Sequence, residues 1–308
     1  MKTFLVPVDG SAAAGVALTL ALTLTRSRVD QLLIVHAINT AAVAAECVTP
    51  YGGDPTAALN ILEVDEREIL DAAVARAREA GVPATPIAVD GATSEKIVQV
   101  ARDRHADAIV MGTSGRRGIE RLVAGSIAEG VLRTASVPVF VIHEGYTPAA
   151  GRAPFQRILV AVDDSISAAA ATRFAIDLAA VGGAGIVFCH VVGEKEESSS
   201  TFEIAQKLAA ERGVESATLT VHGRDTAEII IASAEASRAD LIALGTHGRR
   251  GLDRFILGSV AEGVVRNSPI PAVVVRGDQS TLRTRHQAID TNNVTAASCI
   301  APATTSSV

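Results

Sequence analysis

The stretch IVMGTSGRRGIERLVAGSIAEGVLRTASVPVFVI at residues 109–142 recurs as IALGTHGRRGLDRFILGSVAEGVVRNSPIPAVVV at residues 242–275, an offset of 242 − 109 = 133 positions. Two shorter segments recur as well. FLVPVDGS at residues 4–11 returns as ILVAVDDS at residues 158–165, and LLIVHA at residues 32–37 returns within GIVFCHV at residues 185–191. Self-similarity over such lengths indicates that the chain of 308 residues contains two copies of one domain.

The offset between the copies changes along the chain. The aspartates of the first segment are 163 − 9 = 154 positions apart, so the second copy lacks a net 154 − 133 = 21 residues between His190 and Gly245. The segment Asn39–Asn60 of the first copy accounts for the difference. Its prolines and glycines at positions 50, 52, 53 and 55 predict irregular structure.

These repeats set the expected domain boundaries. The first domain is predicted at residues 1–143 and the second at residues 156–276. A linker at residues 144–155 separates them, because Gly and Pro cluster there without an apolar period. The polar, Ser- and Thr-rich segment at residues 277–308 is predicted to be a disordered tail.

Short apolar runs alternate with helical patterns in each copy. In the first copy the predicted strands are Thr3–Val8, Gln31–Ala37, Ala84–Val89, Ala108–Met111 and Val137–Ile142. The predicted helices start near Ser11, span Leu62–Ala80 and Ser94–His105, and start again at Ser126. This alternation is typical of right-handed βαβ units. The predicted fold class is therefore α/β, with two doubly wound, Rossmann-like parallel-sheet domains in tandem.

Composition excludes several classes of function. Apolar residues make up 48% of the chain and aromatics 3%, so the core must consist mainly of Ala, Val, Ile and Leu, which suits buried parallel strands. The net charge of −6 argues against a nucleic-acid partner, which would require a basic face. Cys47, Cys189 and Cys299 form neither a CxxC pair nor a disulfide framework, which favours a reducing cytoplasm.

Membrane insertion is not expected. The uncharged runs at residues 10–25 and 31–45 are shorter than the roughly 20 residues that span a bilayer. The apolar run Thr3–Val8 is also shorter than the core of a signal peptide, and it is interpreted as the first strand.

The chemistry is expected at the turn after the fourth strand. Gly112, Gly115, Gly125 and Ser126 recur at the same spacing as Gly245, Gly248, Gly258 and Ser259. Glycines let backbone N–H groups approach phosphate, and a helix that begins at the serine adds a positive dipole end. Ser126 with Glu129 and Ser259 with Glu262 are interpreted as capping boxes. GxxG turns and SxxE caps are also common as purely structural features, but here both occur twice, at strand ends where open α/β sheets bind ligands.

Neighbouring residues have two interpretations each. Arg116, Arg117, Arg249 and Arg250 either pair with phosphate or lie on a solvated loop. Asp9 and Asp163 either contact a ligand or cap the following helix. His36 and His190 are interpreted as core histidines, and no histidine spacing predicts a metal site. The chain lacks a GxxxxGK[ST] loop, a GxSxG elbow and a GxGxxG after the first strand, which argues against a vigorous ATPase and a dinucleotide oxidoreductase.

GTSGRRGIERLVAGSIAEGV and GTHGRRGLDRFILGSVAEGV, together with VPVDGS, VAVDDS, VHA and CHV, resemble the universal stress protein family over residues 4–142 and 157–276. The resemblance is to the ATP-binding branch, whose fold is similar to that of adenine nucleotide alpha hydrolases. It implies that a Gly-x2-Gly-x9-Gly-Ser loop holds phosphates and ribose, that the first-strand Asp lies near the ribose or adenine, and that the residue after the second-strand His lies at the adenine.

Carried over by position, the resemblance implies two ATP sites. The first comprises Asp9, Ala37, Met111, Gly112, Gly115, Arg116, Gly125, Ser126 and Ile127. The second comprises Asp163, Val191, Leu244, Gly245, Gly248, Arg249, Gly258, Ser259 and Val260. The copies differ at Pro7 against Ala161 and at Ser114 against His247, and neither change removes a glycine of the loop.

Three functions remain open from the sequence. The leading hypothesis is a regulatory ATP-binding protein of the stress response, with Mg²⁺ as the metal that accompanies the nucleotide. The first alternative is a slow Mg²⁺-dependent ATP hydrolase or nucleotide-transferring enzyme that uses Asp9 or Asp163 to position the metal. The second alternative is an interaction module with vestigial pockets.

The last strands predict how the halves associate. VPVFVI at residues 137–142 and IPAVVV at residues 270–275 are apolar and end their repeats, so each is expected to form a sheet edge that seeks a partner. Pro138 and Pro271 remove one donor each near the strand start, where the loss is tolerated. Members of the family commonly dimerise through this strand, which predicts an intramolecular pseudo-dimer and allows a homodimer through another surface.

Overall fold

The computed structural model describes residues 2–25, 30–47, 55–113, 126–147, 154–193, 201–246 and 257–277. The first half contains β1 (Thr3–Pro7), α1 (Ala12–Leu24), β2 (Gln31–Ile38), α2 (Thr40–Cys47), α3 (Pro55–Glu79), β3 (Ala84–Asp90), α4 (Thr93–Asp103), β4 (Ala108–Thr113), α5 (Ser126–Thr134) and β5 (Val139–His143). The second half contains β6 (Arg157–Ala161), α6 (Ile166–Gly182), β7 (Gly185–Val192), α7 (Thr201–Glu211), β8 (Ser216–His222), α8 (Thr226–Ala236), β9 (Leu241–Gly245), α9 (Ser259–Asn267) and β10 (Ala272–Val275).

The strands form one sheet in the order β3-β2-β1-β4-β5-β10-β9-β6-β7-β8. Within each half the neighbouring strands are parallel, and helices supply the crossovers between them. The predicted α/β class and doubly wound topology are thereby confirmed.

Side chains on the two faces of the sheet pack against different helices. Along β1, Phe4 and Val6 belong to a core shared with α1, α3, α6 and α7, whereas Leu5 between them belongs to a core shared with α4, α5, α8 and α9. Because successive side chains of a strand point to opposite faces, a strand covered on both sides must be apolar throughout. Each fully buried Leu or Ile contributes about 1.5–3 kcal/mol to stability, which explains the continuous apolar runs of the sequence.

The two halves join through their last strands, as the sequence predicts. β10 pairs with β5 antiparallel, with Val273 opposite Phe140. Phe140 is fully buried and stacks on Phe155, which precedes β6, with ring centroids 6.3 Å apart; it also meets Phe174 of α6 edge-on at 5.9 Å. The junction is therefore a packed core as well as a strand pairing.

The prediction of irregular structure at residues 39–60 is wrong for residues 40–47 and 55–60, while residues 48–54 lie outside the described ones. Within it, α2 occupies Thr40–Cys47 and α3 already begins at Pro55. The sequence of α2, TAAVAAEC, is rich in alanine, the strongest helix former. Pro55 is the first residue of α3, a position where proline favours a helix instead of breaking it.

Three further expectations concern residues that lie outside the described ones in whole or in part: the linker at residues 144–155, the tail at residues 277–308 and the glycine loops after β4 and β9. Across the part of the chain that the structure describes, none of the helices combines the length and the apolar character that a membrane crossing requires.

Candidate functional site

The topology gives each half one switch point. Strand order reverses between β1 and β4, and again between β6 and β9, and the helices that follow these strands pack on opposite faces of the sheet. In open α/β sheets ligands bind at such switch points. The predicted residue Asp9 follows β1, and Gly112 lies at the end of β4. Asp163 and Gly245 occupy the corresponding places after β6 and at the end of β9.

The aspartate after the first strand shapes the turn into the next helix. The Oδ1 atom of Asp9 accepts a hydrogen bond from the backbone N–H of Ser11 at 3.0 Å. The Ser11 hydroxyl in turn accepts from the N–H of Ala14 at 3.2 Å and is the N-cap of α1. The second half repeats the arrangement with Asp163, Ser165 and Ala168, at 2.9 and 3.1 Å. The alternative that the aspartate itself caps the helix is therefore wrong, because the serine is the cap and the aspartate positions it.

Glycine at the end of the fourth strand has a packing reason. A Cβ atom at Gly112 would lie 2.3 Å from the backbone carbon and oxygen of Ala13 in α1. A Cβ at Gly245 would lie 2.6 Å from the hydroxyl oxygen and 2.7 Å from the backbone carbon of Ser167 in α6. Since real side chains do not approach so closely, the first turn of α1 or α6 can rest on the strand end only when that residue is glycine.

The two core histidines differ. The His36 ring is buried. Its Nδ1 atom donates a hydrogen bond of 2.6 Å to the carbonyl oxygen of Val8, the residue that follows β1. His190 is also buried and meets Phe202 edge-on at 6.1 Å, but its Nδ1 atom has no hydrogen-bond partner among the described residues. The prediction of a satisfied core histidine holds for His36 and not for His190.

The remaining predicted residues of the strand ends vary in exposure. Ala37 and Val191 are half-buried near the ends of β2 and β7, and Met111 and Leu244 are buried in β4 and β9. Ile127, the second residue of α5, is 41% exposed, whereas its counterpart Val260 is half-buried. The predicted residues Gly115, Arg116, Arg117, Gly125, Gly248, Arg249 and Arg250 lie outside the described residues.

The helix after the glycine loop starts at the switch point. The N–H of Gly258 donates to the Thr246 carbonyl oxygen at 2.8 Å, which ties the start of α9 to the end of β9. Gly258 is the N-cap and makes no side-chain capping bond. Among the described residues no side chain caps the backbone N–H groups in the first turn of α9, and such groups suit an anion.

The capping-box prediction is wrong for the second half. Because Gly258 is the N-cap, Ser259 is the first helical residue, and Glu262 is one position too far along to close a box. Glu262 instead pairs with Arg266, and in the first half Glu129 pairs with Arg133 at 3.6 Å. The exposed hydroxyl of Ser259 makes no capping bond within the described residues, which suits it to a ligand.

A cavity of about 560 Å³ opens between the start of α8 and one face of α9. Ser259 and Val260, both predicted site residues, line it. The sequence motifs do not indicate the other lining residues, namely Arg224, Asp225, Thr226, Ala227, Glu228, Gly263 and Asn267. A signal for them exists, because Asp225 and Glu228 have capping-box spacing and Asp225 Oδ1 accepts from the Glu228 N–H at 3.1 Å. The volume lies within the range of ligand pockets.

Close helix packing brings these two helix starts together. A Cβ atom at Gly263 of α9 would lie 2.7 Å from the Cβ of Ala227 in α8. Gly130 of α5 approaches Ser94 of α4 in the same way in the first half, at 2.7 Å. The small residues at each crossing let both first turns open at the same edge of the sheet.

Comparisons with known proteins agree with this architecture. The universal stress protein family model matches residues 1–143 and 154–276. Universal stress protein Rv2005c of Mycobacterium tuberculosis is 29% identical over 293 residues, covering 88% of this chain and 96% of the relative. Universal stress protein Rv2623 of the same organism is 28% identical over 295 residues, with 88% and 95% covered. The crystal structure of a universal stress protein from Archaeoglobus fulgidus superposes with a TM-score of 0.71 and 24% identity, over 90% of this chain and 97% of that chain, and shows the shared fold.

Proposed function

Since this chain belongs to the universal stress protein family, with one match to the family in each half, we propose that it is a regulatory protein of the stress response that binds ATP in both halves. The start of α9 carries the proposal. No side chain among the described residues caps its first turn, and Ser259 and Val260 line a cavity of about 560 Å³ between α8 and α9. Phosphate fits such a helix start, and the cavity has room for a nucleotide.

The proposed contacts follow the two copies of the motif. Phosphates and ribose are assigned to the Gly-x2-Gly-x9-Gly-Ser loops, which end at Ser126 and Ser259. The adenine is assigned to the ends of the second and fourth strands, at Ala37 and Met111 in one half and at Val191 and Leu244 in the other. The half-buried apolar side chains of Ala37 and Val191 suit the face of a base, whereas the Met111 and Leu244 side chains are buried in their strands.

Asp9 and Asp163 are proposed to contact the nucleotide or its metal ion. One carboxylate oxygen of each fixes the turn after the first strand. The other oxygen is available in this proposal to a ribose hydroxyl or to the Mg²⁺ ion that ATP carries, since Mg²⁺ prefers carboxylate and phosphate oxygens. The proposed location is the cytoplasm, in keeping with the free, buried thiol of Cys189.

Protein purified without added nucleotide provides the first test. Mass spectrometry of the released small molecules should detect ATP. Calorimetry on the emptied protein should give two sites with micromolar affinity, roughly −8 kcal/mol each. Ser126→Tyr and Ser259→Tyr place a bulky ring at the first residue of α5 and α9, so each should remove one site and the double variant both.

Ser136→Tyr is the matched control, because Ser136 is exposed beyond the other end of α5 and should tolerate the same ring without loss of binding. A folded double variant that still binds two ATP molecules would exclude these helix starts as the sites. If the wild-type chain binds no adenine nucleotide, the interaction module becomes the preferred hypothesis.

A further inference from the structure

The turns that lead from the third strand of each half into the next helix differ in length. Asp90 lies opposite Ile38 at the end of β3, and His222 lies opposite Val192 at the end of β8. From these residues to the first helical residue there are 93 − 90 = 3 positions in the first half and 226 − 222 = 4 in the second. The additional residue lies in the second turn, which contains Arg224.

In the first half the carboxylate at the end of β3 already accepts two hydrogen bonds. Asp90 Oδ1 accepts from the Thr40 N–H at 3.0 Å, and Oδ2 accepts from the Thr40 hydroxyl at 2.8 Å. Asp90 thereby anchors the start of α2 to β3. Gly91 and Ala92, which complete this turn, carry no charge. The nearby cation is Lys96 of α4, whose Cε lies 2.7 Å from the position that a Cβ of Gly91 would take, beside the Asp90 carboxylate.

In the second half the turn contributes to the cavity. Arg224 lines it together with Ser259 and Val260. Asp225 and Glu228 line it too, and Arg224 is the cationic member of the described lining. The two carboxylates repel a polyanion. Binding of a phosphate chain in this cavity would therefore depend strongly on the Arg224 guanidinium. Its fork of N–H donors also matches phosphate oxygens.

We infer that Arg224 is a specificity-determining residue of the second site, which contacts the outer phosphates of a nucleoside di- or triphosphate and makes the two sites inequivalent. The inference rests on the proposed nucleotide binding and adds a preference to it. The second site discriminates ATP and ADP from AMP through Arg224. The first site lacks a guanidinium at this turn, where the nearby cation is Lys96.

The test isolates the second site in the full chain. Calorimetry with ATP, ADP and AMP is carried out on Ser126→Tyr and on the same variant combined with Arg224→Ala or Arg224→Lys. Loss of the guanidinium should weaken ATP about tenfold and AMP less than about twofold, as expected when one charge-assisted contact to an outer phosphate is removed. Lysine should restore only part of the loss, because it cannot bind in the same forked manner.

Arg173→Ala is the matched control, since Arg173 is exposed on α6, which packs against the opposite face of the sheet. It should leave the preference for ATP over AMP unchanged. An Arg224→Ala protein that keeps this preference, or that loses ATP and AMP equally, would overturn the inference while nucleotide binding stands. If the Ser126→Tyr parent binds no adenine nucleotide while the wild type does, the second site and the role of Arg224 both fall.

Discussion

The Nε2 atom of His143 lies 2.7 Å from the carbonyl oxygen of Val265. This contact joins the last residue of β5 in the first half to α9 of the second half, near the end of the helix that starts at the candidate site. A matching contact runs the other way, since Arg276 Nη2 donates to the Arg133 carbonyl oxygen of α5 at 2.7 Å. His143 and Arg276 are 276 − 143 = 133 positions apart, the repeat offset, so each half holds the corresponding helix of the other.

His143→Ala should destabilise the junction between the halves. The change removes one hydrogen bond to a carbonyl group, so the expected loss in the free energy of unfolding is about 0.5–1.5 kcal/mol. The lower part of that range is expected, because Nδ1 of the same ring is buried without a partner among the described residues. Urea unfolding measures the loss, with the exposed His222→Ala as control. Equal stability of the two variants would contradict a role for the contact.

Gly112→Ala and Gly245→Ala should each destabilise the fold. The added methyl group would lie 2.3 Å from α1 backbone atoms at Gly112 and 2.6 Å from Ser167 at Gly245. Overpacking of this kind costs about 1–3 kcal/mol or more. Gly145→Ala meets nothing within 4 Å and is the control, expected to change stability by less than about 1 kcal/mol. Melting temperatures that match across the three variants would refute the packing argument.

The anchoring of α2 should depend on acid pH. Hydrogen bonds from Thr40 lower the pKa of the Asp90 carboxyl below its ordinary value. A group with a lowered pKa in the folded state stabilises that state above its ordinary pKa, and this contribution is lost as the pH falls through the folded value. Protection of the Thr40 amide from hydrogen exchange should therefore fall below about pH 4.

Asp90→Ala should remove this protection at neutral pH. The exposed Asp103→Ala of α4 should leave both the protection and its pH profile unchanged. A wild-type profile that is flat down to about pH 2 would argue that Asp90 does not hold α2.

The first half alone should form a concentration-dependent homodimer. In a chain of residues 1–143 the edge of β5 loses its partner β10, and Phe140 loses its contacts with Phe155 and Phe174. An open strand edge beside an exposed apolar patch favours self-association. Light scattering on a folded preparation checks this, and a monomer at tens of micromolar would refute it.

ATP turnover by the full chain should be negligible. The sequence lacks a Walker lysine, and Asp9 and Asp163 each use one oxygen to fix a turn. Bound ATP should therefore survive purification. Sustained turnover near 1 s⁻¹, the low end of common enzyme rates, that disappears in Asp9→Ala with Asp163→Ala would favour the hydrolase alternative.

The sequence predicted the strands well because their signal is direct. Strands buried on both faces must be apolar throughout, and the repeat assigned the first, second, fourth and fifth strands of each half twice. It predicted α2 poorly, because turn-forming Pro50, Gly52 and Gly53 lie close to the alanine-rich Thr40–Cys47 and suggested irregular backbone for both. Local propensity on either side of the glycines favours helix.

The site was harder to predict because sequence motifs do not fix the residue at which a helix begins. SxxE spacing fits a capping box with serine as N-cap, yet Gly258 takes that position in α9 and shifts the serine into the helix. Arg224 lines the cavity because α8 packs closely against α9 at Gly263, a tertiary contact that no local pattern encodes. Gly112 at the end of β4 suggested a phosphate contact, and its packing against Ala13 also depends on the assembled fold.

The antiparallel pairing of β5 with β10 also decides where the two sites point. Reversal of strand direction at this seam puts the carboxyl ends of the first half's strands at one rim of the sheet and those of the second half at the opposite rim. One nucleotide cannot bridge the two sites, and a partner protein docked over one rim leaves the other uncovered. Two nucleotides bound as proposed would therefore be presented at opposite rims of one continuous sheet.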